Sequence, residues 1–271
     1  MLFTELESCL AQFKTQNIAL AFHDLETGQA YSLHADESFH AASTFKVAVM
    51  MEAYHRAGQG LLSLDDRMPV INSFPSLADG RPFSVSAEDD SDRTLYERIG
   101  GTETMREIMR LMIVRSSNLA ANLLIQKLEA RKVAGFLTEL GIAGVHILRG
   151  PEDGRAHALG LNNSATARGL MLMMKAIVDG QGVSRAASDE MTQVLLGQEF
   201  NEGIPAGLPQ SVRVAHKTGW NDRLYHDVGI VRPEGRQPYV LAVMTSGFEI
   251  ETQAHACVAQ ISHLIYEQIS Y

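Results

Sequence analysis

Three short strings bring together residue types that can perform acyl transfer: Ser43-Thr44-Phe45-Lys46, Ser116-Ser117-Asn118 and Lys217-Thr218-Gly219. A serine hydroxyl is a weak nucleophile until a base removes its proton. Ser43 precedes an apolar, helix-periodic run (Phe45, Val47, Ala48, Val49, Met50, Met51). It therefore reads as a helix-start serine, where free N–H groups and the helix dipole favour an alkoxide or oxyanion. Lys46 follows one turn on, on the same helical face. An amine held there among apolar side chains loses basicity through desolvation and becomes available as a general base. Lys217 supplies positive charge for a substrate carboxylate, Thr218 adds a hydroxyl donor, and Gly219 lets a ligand approach the strand backbone. Each string also has an ordinary explanation: Ser43 and Ser116 as helix caps, Lys46 as a solvated first-turn residue, Lys-Thr-Gly as a turn. S-x-x-K alone should arise by chance about once in a chain of this length.

The elements that must position these strings follow from hydrophobic periodicity. Leu2, Phe3, Leu6, Cys9, Leu10 and Phe13 recur at helical spacing and predict an amphipathic first helix. Alternation predicts strands over 17–24 and 29–34, joined by a Glu26-Thr27-Gly28 turn. Helical signals then dominate: 47–56, 104–114, 119–129, 133–140, 166–178 and 187–195. Strands return over 211–216, 225–231 and 239–245, with Pro233-Glu234-Gly235-Arg236 turning between the last two. A final amphipathic helix covers 252–269. Residues 71–94, rich in Ser, Pro, Gly and Asp, are too long for a plain connection and predict a structured loop near a site. Strands at both ends with helices between them give an α+β fold, an antiparallel sheet flanked by N- and C-terminal helices with an all-helical domain inserted. The expected boundaries are 1–42 and 199–271 for the sheet domain and 43–198 for the helical one, with the active site in the cleft between them.

Composition narrows the partners. The 271 residues are 45% hydrophobic and 20% charged, with a formal net charge of −9 from 23 Lys+Arg against 32 Asp+Glu. That balance repels phosphate backbones and anionic lipid, which argues against nucleic-acid and membrane partners. No apolar run approaches the roughly 20 residues of a membrane-spanning helix. Met1-Leu2-Phe3-Thr4-Glu5-Leu6-Glu7 is acidic where a secretory signal is basic. This start is expected of a cytoplasmic protein, or of a mature periplasmic or secreted form carrying an added Met1. Cys9 and Cys257 are too few for a disulfide framework and read as buried, inert thiols. Glu88, Asp89, Asp90 and Asp92 lack the spacing of a calcium loop and read as a solvated acidic loop. The ten histidines show no metal-ligand spacing, and Met171, Met173 and Met174 read as helix core.

In the order S-x-x-K, S-x-N, K-T-G, the three strings resemble the signature set of penicillin-interacting serine hydrolases, and the class A β-lactamases most of all. Ala120-Ala121-Asn122-Leu123-Leu124 extends the similarity. The resemblance implies the same α+β architecture and hydrolysis of a β-lactam amide through an acyl-enzyme on Ser43. It implies that Lys46 takes the Ser43 proton directly or through a neighbour. Ser116 would relay a proton to the leaving nitrogen, and Asn118 would hydrogen-bond the substrate's side-chain amide. The substrate would lie along the strand edge at Lys217, Thr218 and Gly219, with the N–H groups of Ser43 and Trp220 as oxyanion hole. A small-molecule β-lactam or acyl substrate, no metal or organic cofactor, and a monomer are implied with it.

The chain departs from that family in three places. Ser117 stands where the middle residue is usually aspartate, which predicts fewer hydrogen bonds holding its loop. The R-x-E-x-x-L-N loop of the deacylation glutamate reads Arg149-Gly150-Pro151-Glu152-Asp153-Gly154-Arg155 here, and Leu161-Asn162-Asn163 comes late. Glu152 is the expected base, Asp153 is held in reserve, and a solvated loop carboxylate is the alternative for Glu152. The arginine common on the strand after K-T-G is replaced by His226-Asp227, with Arg223 just before. His226 either takes part of the arginine's role or fills a strand-edge position. The altered glutamate loop keeps two other readings open. One is a related serine esterase or D,D-peptidase that β-lactams acylate and that deacylates slowly; the other is a penicillin-binding sensor without turnover.

Overall fold

The computed structural model describes residues 4–13 and 17–269. The sheet is assembled from both ends of the chain. Strands β1 (Asn17–Asp24) and β2 (Ala30–Leu33) join a C-terminal meander of β3 (Arg213–Asn221), β4 (Leu224–Arg232) and β5 (Tyr239–Ser246), in the order β3-β4-β5-β1-β2. Every pairing is antiparallel, and β1 is registered on β5 from Asn17↔Ser246 to Asp24↔Tyr239. β3 is thus an outer strand. Side chains alternate between the two sheet faces. Ala19 and Ala21 of β1 belong to one buried cluster, while Leu20 and Phe22 belong to the other.

Both faces are covered. Helices α1 (Thr4–Leu10) and α9 (Glu251–Ile269) pack on the Leu20 and Phe22 side. Between β2 and β3 run α2 (Lys46–Gly58), α3 (Met105–Val114), α4 (Asn118–Leu128), α5 (Ala130–Glu139), α6 (Gly154–Ala158), α7 (Ala167–Asp179) and α8 (Arg185–Leu196). Of these, α7 lies on the Ala19 and Ala21 face through Met171, Met173 and Met174, as its apolar period requires. One buried cluster runs from Ala21 and Ala242 of the sheet through Met173 to Val49 of α2 and Met109 of α3. The inserted 43–198 segment therefore shares its apolar core with the sheet. Among the described residues no helix is long and apolar enough to cross a membrane.

Element limits agree closely with hydrophobic periodicity, with instructive exceptions. The first helix is shorter than its pattern and passes into a 3₁₀ turn at Ala11–Phe13; Leu2 and Phe3 lie outside the described residues. β3 continues through Lys217-Thr218-Gly219 to Asn221, so this string lies inside a strand and not beyond its end. Residues 71–94 do carry structure, a small hairpin pairing Phe74–Pro75 with Pro82–Phe83. The two thiols are buried, and burial pushes both up, Cys257 to about 12 with Cys9 adding to the shift. The back of β3 is anchored as well. His216 Nδ1 is 2.9 Å from Asp227 Oδ1, and Asp227 Oδ2 accepts from Ile204 N–H at 2.8 Å.

Phe22 sits in the middle of this arrangement, 1% exposed, with its ring centroid 5.5 Å from that of Tyr239. Phe22→Ala is expected to cost about 3–5 kcal/mol, read as a lower urea midpoint at unchanged slope. A loss below about 1 kcal/mol would mean that the sheet is not held by this face.

Candidate active site

Ser43 does not cap α2. It lies inside a 3₁₀ turn, Ala42–Phe45, and the helix begins at Lys46 with Phe45 as N-cap and no side-chain cap bond. The turn is tied locally instead, Thr44 N–H and Oγ1 donating to Ala41 O at 3.2 and 2.6 Å. The buried run Phe45, Val47, Ala48 and Val49 draws the first turn of α2 into the core. Lys46 goes with it and is fully buried.

The Lys46 amine donates to Ser116 O at 2.7 Å and to Asn118 Oδ1 at 2.8 Å, and Ser116 Oγ is 3.4 Å away. A neutral amine has two N–H donors and one lone pair. The two short contacts to pure acceptors use both donors, leaving the lone pair for a hydroxyl. Burial lowers the Lys46 pKa to about 7, against the opposing charges of Asp90 and Glu152. Lys217, equally buried, donates to Ser116 Oγ at 3.0 Å and to Thr218 O at 2.8 Å. Burial, then the neighbouring Lys46 charge, holds its pKa well below the usual lysine range, with Asp227 opposing. The Ser116 hydroxyl accepts from Lys217 and has its own proton free for Lys46. The geometry therefore brings together Lys46, Ser116 and Lys217 from three distant parts of the chain.

Ser116 occupies a left-handed backbone conformation (φ 57°), costly for a residue with a side chain and sustained only by firm surroundings. At Ser117, where fewer hydrogen bonds are expected than an aspartate would make, the side chain makes two. Ser117 caps α4, accepting from Ala120 N–H at 3.3 Å, and donates to Asp90 Oδ2 at 3.3 Å. Asp90 also accepts from the N–H groups of Asn118 and Leu119 at 2.9 Å and from Tyr96 OH at 2.9 Å. A carboxylate from a different segment thus holds the turn. Asp90 and Asp92 are 5% and 2% exposed, which overturns the reading of a solvated acidic loop for these two.

Glu152 also comes to this cluster. Its Oε1 accepts from Asn118 Nδ2 at 2.6 Å and its Oε2 from Ser86 N–H at 3.2 Å. The Asn118 amide therefore bridges Lys46 and Glu152, both ends engaged within the protein. Half-buried, Glu152 has its carboxyl raised above the ordinary glutamate value by desolvation, which its two hydrogen bonds only partly offset. Asp153, the reserve base, is 1% exposed. Its oxygens accept from Ser76 Oγ, Leu77 N–H and Ala156 N–H at 2.8–3.1 Å, leaving it tied to structure. Asn162 and Asn163 close the base of the loop on Arg149, at 2.7 Å to its Nη2 and 2.8 Å to its carbonyl oxygen.

A cleft of about 280 Å³ lined by Ser43, Asn118, Glu152, His157, Trp220 and Asn221 opens over these groups. Its other wall is β3. Gly219 passes so close to the nucleophile turn that a Cβ there would meet Ser43 N at 2.8 Å, Thr44 N at 3.0 Å and Ala42 Cβ at 3.1 Å. The backbones of Ser43 and Trp220 thereby lie on either side of one residue without a side chain. The Thr218 hydroxyl is buried with no partner among the described residues, a donor left for a ligand. His226 does not replace an arginine. It is fully buried, donating through Nε2 to His40 O at 2.9 Å and accepting at Nδ1 from Thr245 N–H at 3.2 Å. Burial drops its pKa to about 4, so it is neutral. Arg223 sits in the turn after β3, exposed and paired with Glu249 at 3.3 Å.

Asp90, Ser86 and Ser76 are the participants that motif spacing missed, because they come from an irregular segment with no period to read. Gly219→Ala, whose Cβ would push the Ser43 N–H out of place, is expected to lower kcat/KM about 10²–10³-fold, the size usual for losing one oxyanion donor. Activity within about twofold of the parent chain would show that the Ser43–Gly219 approach is not needed.

The chain matches the model of the Beta-lactamase enzyme family over residues 1–269. A beta-lactamase of Streptomyces fradiae is 27% identical over 256 residues, covering 92% of this chain and 80% of that protein. A beta-lactamase structure from Sphaerobacter thermophilus superposes with a TM-score of 0.85 at 22% identity, over 98% of this chain and 97% of the other. A point mutant of PBP-A, solved as an acyl-enzyme complex with penicillin G, superposes with a TM-score of 0.83 at 23% identity, over 99% and 96%. At these identities the two structures speak for the fold. Their architecture is the α+β arrangement of sheet and helices described above, and the match over nearly the whole chain settles its kinship: this protein belongs to the beta-lactamase enzyme family.

Proposed function

We propose that the protein is a serine β-lactamase of the class A type, acting through an acyl-enzyme on Ser43 in the cleft between β3 and the inserted 43–198 segment. The observation that carries this is the pair of buried lysine amines converging on Ser116 Oγ, with Ser43 lining the same cleft as Asn118 and Glu152. Neutral Lys46 takes the Ser43 proton, directly or through a neighbour, as Oγ bonds to the lactam carbonyl carbon. The charge developing on the carbonyl oxygen is met by the N–H groups of Ser43 and Trp220. As the C–N bond breaks, Ser116 gives its proton to the ring nitrogen and regains one from Lys46, which returns to its neutral state. Lys217 and the free Thr218 hydroxyl receive the substrate carboxylate, and the anion favours the protonated lysine. Glu152 then takes a proton from water as the water oxygen bonds to the ester carbon, and as the C–O bond to Ser43 breaks that proton passes to Ser43 Oγ, returning Glu152 to its carboxylate. No step calls on a metal or an organic cofactor.

Placing Glu152 one position late favours a second reading, a hydrolase that acylates and releases slowly. Mixing pure protein with benzylpenicillin while following hydrolysis and intact mass separates the two. Multiple turnovers without a lasting adduct are expected from the parent chain, and a persistent adduct on Ser43 from Glu152→Gln. A lasting adduct on the parent chain favours the slow hydrolase. No adduct, together with unchanged behaviour of Ser43→Ala, ends the acyl-transfer account.

A further inference from the structure

We infer that Asp153 is a positioning residue for deacylation, clasping the Glu152 loop to the hairpin at residues 74–83, with Glu152 taken as the base proposed above. Glu152 itself has a left-handed backbone (φ 64°), a conformation a glutamate keeps only when its neighbours over-determine it. Three contacts do this. On the α4 side, Asn122 Nδ2 donates to Pro151 O at 3.1 Å. Gly150 lies so close there that a Cβ would fall 2.0 Å from Asn122 Oδ1. On the opposite side, Asp153 reaches out of the loop into the hairpin. Ser76 Oγ donates to its Oδ1 and Leu77 N–H to its Oδ2, both at 2.8 Å. Arg155 adds a second tie, donating through Nη2 to Arg81 O at 2.6 Å.

The hairpin offers a firm anchor. Phe74 and Phe83 pair across it with ring centroids 5.9 Å apart, and Phe74 is 3% exposed. Farther along, the same segment supplies the Ser86 N–H that holds Glu152 Oε2 and the Asp90 carboxylate beneath Asn118. Glu152 is therefore oriented by one segment at two points, through its own carboxylate and through the neighbouring Asp153. Charged hydrogen bonds are the stronger kind, and the Ser76 and Asp153 side chains that make this one are buried. None of the Asp153 contacts involves Ser43, Lys46, Ser116 or Lys217 directly; its link to Lys46 runs only through Glu152 and the Asn118 amide.

The consequence is a split between the two halves of the reaction. In Ser76→Ala and Asp153→Asn, the acylation rate constant should stay within about twofold, and deacylation should fall about 10- to 100-fold, as expected for misplacing a catalytic group by an ångström or less. The adduct should accumulate by intact mass. Ser76→Ala removes a single donor, so it keeps the test open if Asp153→Asn fails to fold. In a Glu152→Gln background, Ser76→Ala should slow deacylation no further, since the clasp acts only through Glu152. Equal loss in both halves, no loss in deacylation, or an undiminished effect in that background overturns the inference. If Glu152→Gln traps no adduct, the assignment of Glu152 fails on its own account, and the two failures stay distinguishable.

Discussion

Two lysine amines buried against one serine hydroxyl set the terms for the rest of this molecule. Ser116 Oγ is 3.4 Å from Lys46 Nζ and 3.0 Å from Lys217 Nζ. Those distances hold the two amines within about 6.4 Å of each other, where two full positive charges would repel by at least about 2.6 kcal/mol at an effective dielectric near 20, before either pays for desolvation. Protonating both is therefore strongly disfavoured. The arrangement resolves this by surrounding Lys46 with two carbonyl-type acceptors, which accommodate a neutral amine as well as an ammonium. Asp90, Glu152 and Asp227 lie near enough to favour a proton on one lysine or the other. Burial lowers the Lys46 pKa in spite of those carboxylates, which is what the proposed role as base requires.

Everything that brings the lysines together is ordinary folding. Periodic apolar residues carry Lys46 inward on α2, and alternation along β3 carries Lys217 to the same place. The left-handed backbone at Ser116 is what lets its carbonyl and its hydroxyl both face amines. That strain is sustained by Asp90, whose hydrogen bonds to Ser117, Asn118 and Leu119 fix the turn. The 71–94 segment thus supports both halves of the chemistry, the turn at Ser116 through Asp90 and the glutamate loop through Ser76 and Ser86.

Roles set by local spacing were legible in the amino-acid sequence. Alternation marked β1 at its observed limits, and helical period marked α7 with its methionines inside. Ser43, Lys46, Ser116 and Lys217 could be picked out because each sits in a short string of fixed order. Roles set by tertiary contact were not legible. Asp90 and Asp92 look solvated because a Ser- and Asp-rich stretch has no period, and nothing local shows that helix α4 will place its N–H groups against Asp90 or that Arg115 will meet Asp92. Asp153 looks like a spare base until the hairpin that binds it is seen. Ser43 looks like a helix cap because a 3₁₀ turn and a first helical turn have similar residue preferences. His226 was the opposite case, its strand-edge alternative turning out to be a buried, neutral side chain bonded to backbone.

The central claim is that Lys46 loses its proton near neutral pH and is a neutral amine above it. Its pKa in the folded protein, about 7, lies below the ordinary lysine value. Between those two values the unfolded chain binds more protons than the folded one, so stability rises with pH across that window and declines as pH falls toward 7. The most direct test is a pH titration of 13Cε-labelled lysine by NMR, the Lys46 resonance being identified by its loss in Lys46→Gln. A midpoint near 7 for that resonance is the predicted result. An ammonium shift that persists until about pH 10.4, the unperturbed lysine value, would contradict the account.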